Sequence, residues 1–419
     1  MPALSAMIFC LLGAAPASVY SAPATITGAL DNRFSDNMAQ SADNESSDTE
    51  TRVTVGIFHE TDPGKCSAQT GAELGYGRWW DRTYDPETYV DGNFFGLCEL
   101  RAGLTWEVND NLSQVKRDSR GTDTPDNRSV KNIFRTGPRY MIPLGARDQL
   151  NLSIQYQNTE FREPEETDSE RYIGSAGWNH VFHPTLSGGV SVSTNRADLD
   201  TGGEIDTNVV SLNWIKNWAA TDFTGSLGYS KLTSRFGTFE QSSDGLVGQV
   251  SIERDVSGSL RLYLNASQEL TDQTSDFDVR FEDFTFNLRE TTEVRVTTLN
   301  FGGEKEFSSG AITRISFFAN RADYLRVDDK EDTAGVDVTY SRPISPLWSF
   351  DAAGRYEYAY FNSNGQNDET FSLSTGLSYS MTQDFQLTGS VGHNQRQSDA
   401  ASSEYKENWV ILGLNYQFR

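Results

Sequence analysis

A two-residue hydrophobic period recurs along most of this chain and constrains its fold more than any other feature. In Phe371–Tyr379 one face carries Phe371, Leu373, Thr375, Leu377 and Tyr379, and the other carries Ser372, Ser374, Gly376 and Ser378. Successive side chains of an extended strand point to opposite faces, so this spacing makes a strand with one apolar and one polar side. Related patterns occupy 149–156, 209–218, 223–229, 246–252, 260–266, 312–318, 336–340 and 385–391. A soluble sandwich alternates in the same way. The connections between strands discriminate. Short ones (145–148, 183–185, 219–221, 255–257, 308–310, 345–346 and 382–384) alternate with longer polar ones at 158–169, 197–205, 233–243, 270–290, 324–332, 361–369 and 396–404. Outer-membrane barrels segregate short periplasmic turns from long extracellular loops in this manner.

The expected fold is therefore all-β: a closed antiparallel transmembrane β-barrel with short periplasmic turns and long extracellular loops, in the outer membrane of a Gram-negative bacterium. About 19 strand candidates follow Thr51, and one more falls in 25–33. A closed single-chain bacterial barrel needs an even number, which gives 18 or 20. The mean hydropathy of −0.54 is low for a membrane protein. That excludes only a helical one, because half of each barrel strand faces water. After residue 22 no run approaches the roughly 20 apolar residues that a spanning helix needs.

Residues 1–21 are apolar and end in small residues, and are expected to be a signal peptide cleaved after 15–17 or 19–21, although no Lys or Arg precedes the apolar run. Residues 22–50 form a polar segment with a candidate first strand and loop, and 51–419 form the barrel. The net charge of −24 makes nucleic acid an improbable partner. The acids crowd into 163–168, 198–200 and 328–332, which read as solvated loops or as holders of divalent cations at a lipopolysaccharide surface. None has the spacing of a dedicated calcium loop.

Two cysteines remain beyond the leader, Cys66 and Cys98, and an oxidising compartment permits a disulfide between them. A simple hairpin turning at Tyr84-Asp85 argues otherwise, because it pairs Cys66 near Gly103 and Cys98 near Gly71. A bridge needs Cα atoms within about 7 Å. Both readings stay open.

Little points to catalysis. Of four histidines, His59 and His183 sit at strand ends or turns; His180 shares a face with Trp178 and Phe182, and His393 with Val391 and Phe385. Such faces suit a barrel rim better than a general base. Glu304 and Glu306 read as lumen wall. Gly188-Gly189 and Gly302-Gly303 read as tight curvature. No Cys-x-x-Cys, metal-spaced cluster or phosphate-cradling loop occurs, so no enzyme activity, metal or cofactor is expected. Arg261, Arg314, Asp337, Arg355 and Glu357 lie between apolar or small neighbours and are candidates for the lumen, either lining an aqueous channel or pairing as structural ladders. Trp178, Phe182, Trp214, Trp218, Phe307, Trp348 and Trp409 suit interfacial girdles. The last strand places Val410, Leu412, Leu414, Tyr416 and Phe418 on one face. It is similar to the terminal strand recognised by the barrel assembly machinery, with Tyr416 and Phe418 as the signal, and departs from it in ending on Arg419.

Asp31-Asn32-Arg33-Phe34-Ser35-Asp36-Asn37, Ser47-Asp48-Thr49-Glu50-Thr51-Arg52-Val53, Gly137-Pro138 before a short turn, and Glu407-Asn408-Trp409 entering the last strand resemble the putative beta-barrel porin 2 family. The resemblance implies an outer-membrane pore associated with exopolysaccharide production. It implies periplasmic polysaccharide-export proteins and a polysaccharide as partners, beside outer-membrane lipid and lipopolysaccharide, and it transfers no catalytic residues. A general diffusion porin for small solutes is the alternative.

Overall fold

The computed structural model describes residues 23–118, 120–272, 279–281, 284–286, 293–326, 329–363 and 365–418. The segment read as a signal peptide lies outside them. Its strands are β1 (Thr25–Ser35), β2 (Asp48–Glu60), β3 (Cys66–Trp79), β4 (Glu87–Arg101), β5 (Leu104–Lys116), β6 (Arg128–Pro143), β7 (Asp148–Phe161), β8 (Ser169–His183), β9 (Leu186–Leu199), β10 (Gly203–Trp218) and β11 (Thr221–Phe236). They continue with β12 (Phe239–Ser257), β13 (Leu260–Thr271), β14 (Val279–Phe281), β15 (Phe284–Phe286), β16 (Val294–Glu306), β17 (Ile312–Tyr324), β18 (Asp329–Pro343), β19 (Trp348–Phe361), β20 (Gln366–Ser380), β21 (Phe385–Ser398) and β22 (Tyr405–Gln417). All except β14 and β15, which pair with each other, belong to one 20-stranded sheet. Every neighbour in it is antiparallel, and β1 pairs with both β2 and β22, so the sheet closes on itself. The expected barrel is present, with the larger of the two expected strand numbers. Its first strand, β1, lies within the polar segment 22–50.

Register carries one face consistently around the ring. At the seam Leu30 opposes Leu414 and Phe34 opposes Val410, all on the outside. Val53, Val55, Ile57, Leu212, Leu373, Val410 and Leu412 are exposed on the same outer surface and form an apolar band. Trp178, Phe182, Trp218 and Trp348 are also exposed, close to the short turns, as girdle residues would be. Trp409 is not among them. It pairs with Gly392, and its ring fills the space that a Cβ on Gly392 would need, so it points into the lumen. Odd positions of β22 face inward; the alternation that puts Val410 in lipid puts Trp409 in the lumen.

The strict alternation of short and long connections is only partly realised. Connections 36–47, 117–127 and 272–293 are long, but 200–202 and 237–238 at the same end are short. The polar stretches expected there as loops are strand. Outward-facing Arg196, Asp198, Glu204, Asp206, Arg235 and Glu240 ion-pair across β9 to β12. Their outward charge shows why: the strands run past the apolar band into water, where an outward side chain need not be apolar. The usual contrast is inverted there, with Ala197, Leu199, Ile205 and Leu232 buried on the inner face, while the ladder continues.

Cys66 and Cys98 oppose each other directly in the β3–β4 ladder and are disulfide-bonded, with Cα atoms 4.0 Å apart. The hairpin turns around Arg82, whose φ is +61°, rather than at Tyr84-Asp85. Shifting that centre brings the cysteines into register. Gly137-Pro138 likewise lies within β6 and not before its turn; a Cβ on Gly137 would run into the Ile154 carbonyl. Gly189 and Gly302 face the Trp178 and Ile315 carbonyls at similar range, the tight curvature expected of both glycine pairs.

The seam is joined by more than backbone. Glu407, fully buried on β22, accepts hydrogen bonds from Arg33 (2.5 Å), Ser35 Oγ (2.7 Å), Gln40 (3.2 Å) and Asn394 (3.1 Å). Removing one partner of a buried ion pair costs about 3–5 kcal/mol. Glu407→Ala is expected at the lower end, because Arg33 keeps some contact with lumen water. Urea unfolding of the protein in phospholipid vesicles should show the loss. A midpoint equal to wild type would mean that the ladder alone closes the ring.

Candidate functional site

Pairing fixes which side chains line the interior. Residues opposite each other in an antiparallel ladder share a face, so inward parity can be carried from strand to strand around the barrel. Inward side chains of β7 include Gln149, Asn151, Ser153 and Gln155; those of β8 include Ser175 and Asn179. On β9 they are Ser187, Ser191, Ser193 and Asn195; on β10 Thr207, Ser211, Asn213 and Asn217; on β11 Thr224, Ser226 and Ser230. Among the described inward residues of β7 to β11, only Arg171 near the loop end and Asp222 near the turn end carry charge. The groups bond to one another across strands, as in Ser153–Ser175 at 2.6 Å, Ser191–Ser211 at 2.7 Å and Asn213–Ser191 at 2.9 Å.

The arc formed by β12 to β19 is charged and internally paired. Arg314 donates to Glu304 at 2.6 Å, and Arg355 contacts Asp337 at 3.4 Å and Glu357 at 2.7 Å. Arg261 pairs with Asp255 at the turn end of β12 and β13. All five lumen candidates from the sequence thus face inward, in pairs along neighbouring strands. The neutral arc went unremarked because attention to charge passes over Ser, Thr, Asn and Gln. Its signal was the polar half of each alternating strand, as in Gln149, Asn151, Ser153 and Gln155 of β7. His180 Nδ1 lies 2.8 Å from Asp148 on the outer face, and its ring packs on Trp178 and Phe182. His393 bonds Asn408, also outside. His183 contacts Thr185 in its turn. None faces the lumen. Tyr416 packs on Phe385 and Phe418 at the turn end of the outer surface.

The loop end is crossed by side chains. From the β5–β6 loop, Arg120 donates to Glu331 (2.8 Å), Asp329 (3.0 Å) and Ser363 (3.2 Å), and it lies over the Phe361 ring. Arg396 donates to the Arg120 carbonyl at 2.6 Å. Strands β22, β1, β2, β3 and β4 separate this loop from its partners on one side, and more do so on the other. The contact is therefore a strap across the mouth. Farther round, Arg171 of β8 pairs with Asp272 just after β13, with both side chains at most 2% exposed. There the β12–β13 ladder ends at Gly248–Gln268, while β13 and β16 stay paired up to Thr271–Val294. Leu270 packs against Ala197, Leu199, Ile205 and Leu232. The tops of β13 and β16 thus lean over the lumen.

Loop carboxyls are tuned by this packing. Burial raises the Asp123 carboxyl, but Arg128, Lys116 and Arg33 outweigh it and hold it below the ordinary carboxylate range. Asp329, beyond the apolar band, is likewise raised by burial and lowered further by the Lys330 amide, Arg120 and Ser363. A lowered folded pKa stabilises the strap above the unfolded value of about 3.9 and ceases to do so as pH falls through the folded one.

The closed 20-stranded sheet with a polar interior makes this a porin-like transmembrane β-barrel. Residues 331–418, spanning nearly all of β18 to β22, match the family model described as putative beta-barrel porin 2, the family that the sequence resembles. Glu407-Asn408-Trp409 falls inside the match; the motifs at 31–37, 47–53 and 137–138 fall outside it. No curated protein sequence matches the chain. Among solved structures, a mutant ferric enterobactin receptor from Pseudomonas aeruginosa in complex with enterobactin is similar at 9% identity and TM-score 0.52, over 96% of this chain and 82% of that one. The unliganded ferric citrate transporter FecA is similar at 10% identity and TM-score 0.50, over 96% and 79%. At such identities the likeness is one of barrel fold.

If the strap limits passage, Arg120→Ala should raise the conductance of single channels in planar bilayers at neutral pH. Wild type should approach the variant only as pH falls below the ordinary carboxylate range, where the lowered Asp329 carboxyl at last protonates. Equal conductance at pH 7 would show that Arg120 does not gate.

Proposed function

We propose that this barrel is an outer-membrane conduit of a Gram-negative bacterium that takes part in exopolysaccharide export. The observation that carries the reading is the uncharged arc of hydroxyl and amide groups on β7 to β11. A polyhydroxylated chain crossing such a wall exchanges one neutral hydrogen bond for another, each worth only about 0.5–1.5 kcal/mol net, so it is wetted without being trapped. Charged walls would hold counter-ions and ionic solutes more strongly. The resemblance to the porin 2 family supports the same reading, and a barrel of this strand number is wide enough for an aqueous channel.

The strapped mouth favours a regulated conduit over an ungated diffusion porin. In this reading periplasmic polysaccharide-export proteins deliver polymer to the turn end, and the barrel assembly machinery inserts the chain among outer-membrane lipid and lipopolysaccharide. Deleting the gene should leave polymer in the periplasm and deplete it from the cell surface. Unchanged surface polysaccharide, together with steady ion conductance by the purified protein alone, would favour the diffusion porin.

A further inference from the structure

We infer that the cleft between β13 and the inner wall of β10 and β11 is a binding subsite for a neutral sugar unit. The inference rests on the conduit reading and deepens it. Above the Gly248–Gln268 pair, β13 leaves β12 and leans inward. The departure opens a cavity of about 180 Å³ lined by Ser211, Ser226, Ser230, Gln249, Gln268 and Glu269, with Val209, Val247 and Leu270 as its apolar side.

Two of its polar groups lack partners. Ser230 is only 1% exposed, and its hydroxyl makes no hydrogen bond. A buried hydroxyl without a partner is a net cost to the fold, so serine at this position is favoured only if something else bonds it. Glu269 makes no hydrogen bond or ion pair among the described residues. The other polar groups have partners that leave capacity over. Gln268 donates to the Leu246 carbonyl, Ser226 accepts from the Gln249 amide, and Ser211 bonds Ser191.

A hydroxyl, a carboxyl and two amides beside a small apolar side match the chemistry of a sugar ring, whose hydroxyls donate and accept while its C–H faces are apolar. The residues lining the cleft include no Lys or Arg; the nearby cation, Arg295 opposite Leu270, reaches toward Gly245 of β12 at the cleft's edge, and Glu269 in the lining repels an acid. The unit is therefore uncharged, not a uronate or a phosphorylated sugar. Only Arg171 is charged nearby among the inward residues of β8 to β11 above Asp222, and Asp272 already holds it.

The test uses the purified full chain in planar bilayers, with maltohexaose as the neutral probe and an oligogalacturonate of equal length as the acidic one. Interruption of ion current, and calorimetry in detergent, report binding. Maltohexaose should bind more tightly than the acidic oligomer. Ser230→Ala and Glu269→Ala should each weaken it about tenfold, the size of one lost hydrogen bond of ~1.4 kcal/mol, while Ser374→Ala elsewhere in the lumen should not. A purely structural Ser230 predicts the opposite for the first variant: removing an unsatisfied hydroxyl leaves stability equal or higher and binding unchanged. Unchanged binding in both variants, equal weakening by Ser374→Ala, or preference for the acidic oligomer would overturn the subsite. If wild type binds neither probe while cells still need it to release polymer, the subsite fails and the conduit stands. If cells release polymer without it, the conduit fails whatever the cleft binds.

Discussion

The backbone hydrogen bonds between β1 and β22 are the constraint on which the rest of this structure depends. In hydrocarbon an unpaired N–H or C=O costs several kcal/mol, so a sheet can cross a membrane only when it has no edge. Pairing of β1 with both neighbours removes the last edge. Once the ring is closed, parity does the remaining work. Every second residue must meet lipid, and every other one meets the interior, so a sequence with a polar average still makes a membrane protein. The buried carboxylate of Glu407 adds a charged clamp on the inner side of the same seam.

Much of this was legible in the sequence because a period of two is a direct image of strand geometry. The outward positions Val410, Leu412 and Leu414 and the inward positions of Arg314 and Arg355 could be read from their neighbours alone. What could not be read depends on where water begins. Arg196, Asp206 and Arg235 stand on strands that outrun the apolar band, and there the contrast is inverted, with charge outside and Ala197, Leu199, Ile205 and Leu232 buried inside. The stretches at 197–205 and 233–243 therefore read as loops although they are ladder. Trp409 and the cysteines show a second limit. Residue type suggested lipid for the tryptophan, where one residue of alternation decides the face, and an assumed centre at Tyr84-Asp85 rather than Arg82 moved the partner of Cys66 from Cys98 to near Gly103.

The interior also shows why charged residues are poor guides to what a lumen carries. Arg314 is held by Glu304, and Arg355 by Asp337 and Glu357, so they stiffen the wall and present little unsatisfied field. The uncharged arc beside them is softer chemically, and the mouth above it is held by long-range contacts made by single residues. Arg120 and Arg171 each tie elements far apart around the ring. A few side chains thus cross one end of the barrel, above a wall of uncharged groups.

The bridge between Cys66 and Cys98 has a consequence for how the chain finds its pairing. It ties the first residue of β3 to its partner near the end of β4, in the part of the barrel where glycine and alanine blur the contrast between faces. A hairpin so weakly marked could slide by one residue pair without a large hydrophobic penalty, and such a slide would turn every side chain of that strand to the wrong medium. A covalent link at one rung admits only one alignment. The disulfide therefore acts as an address written into the hairpin, supplying in a single bond the positional information that other strands draw from their alternating residues.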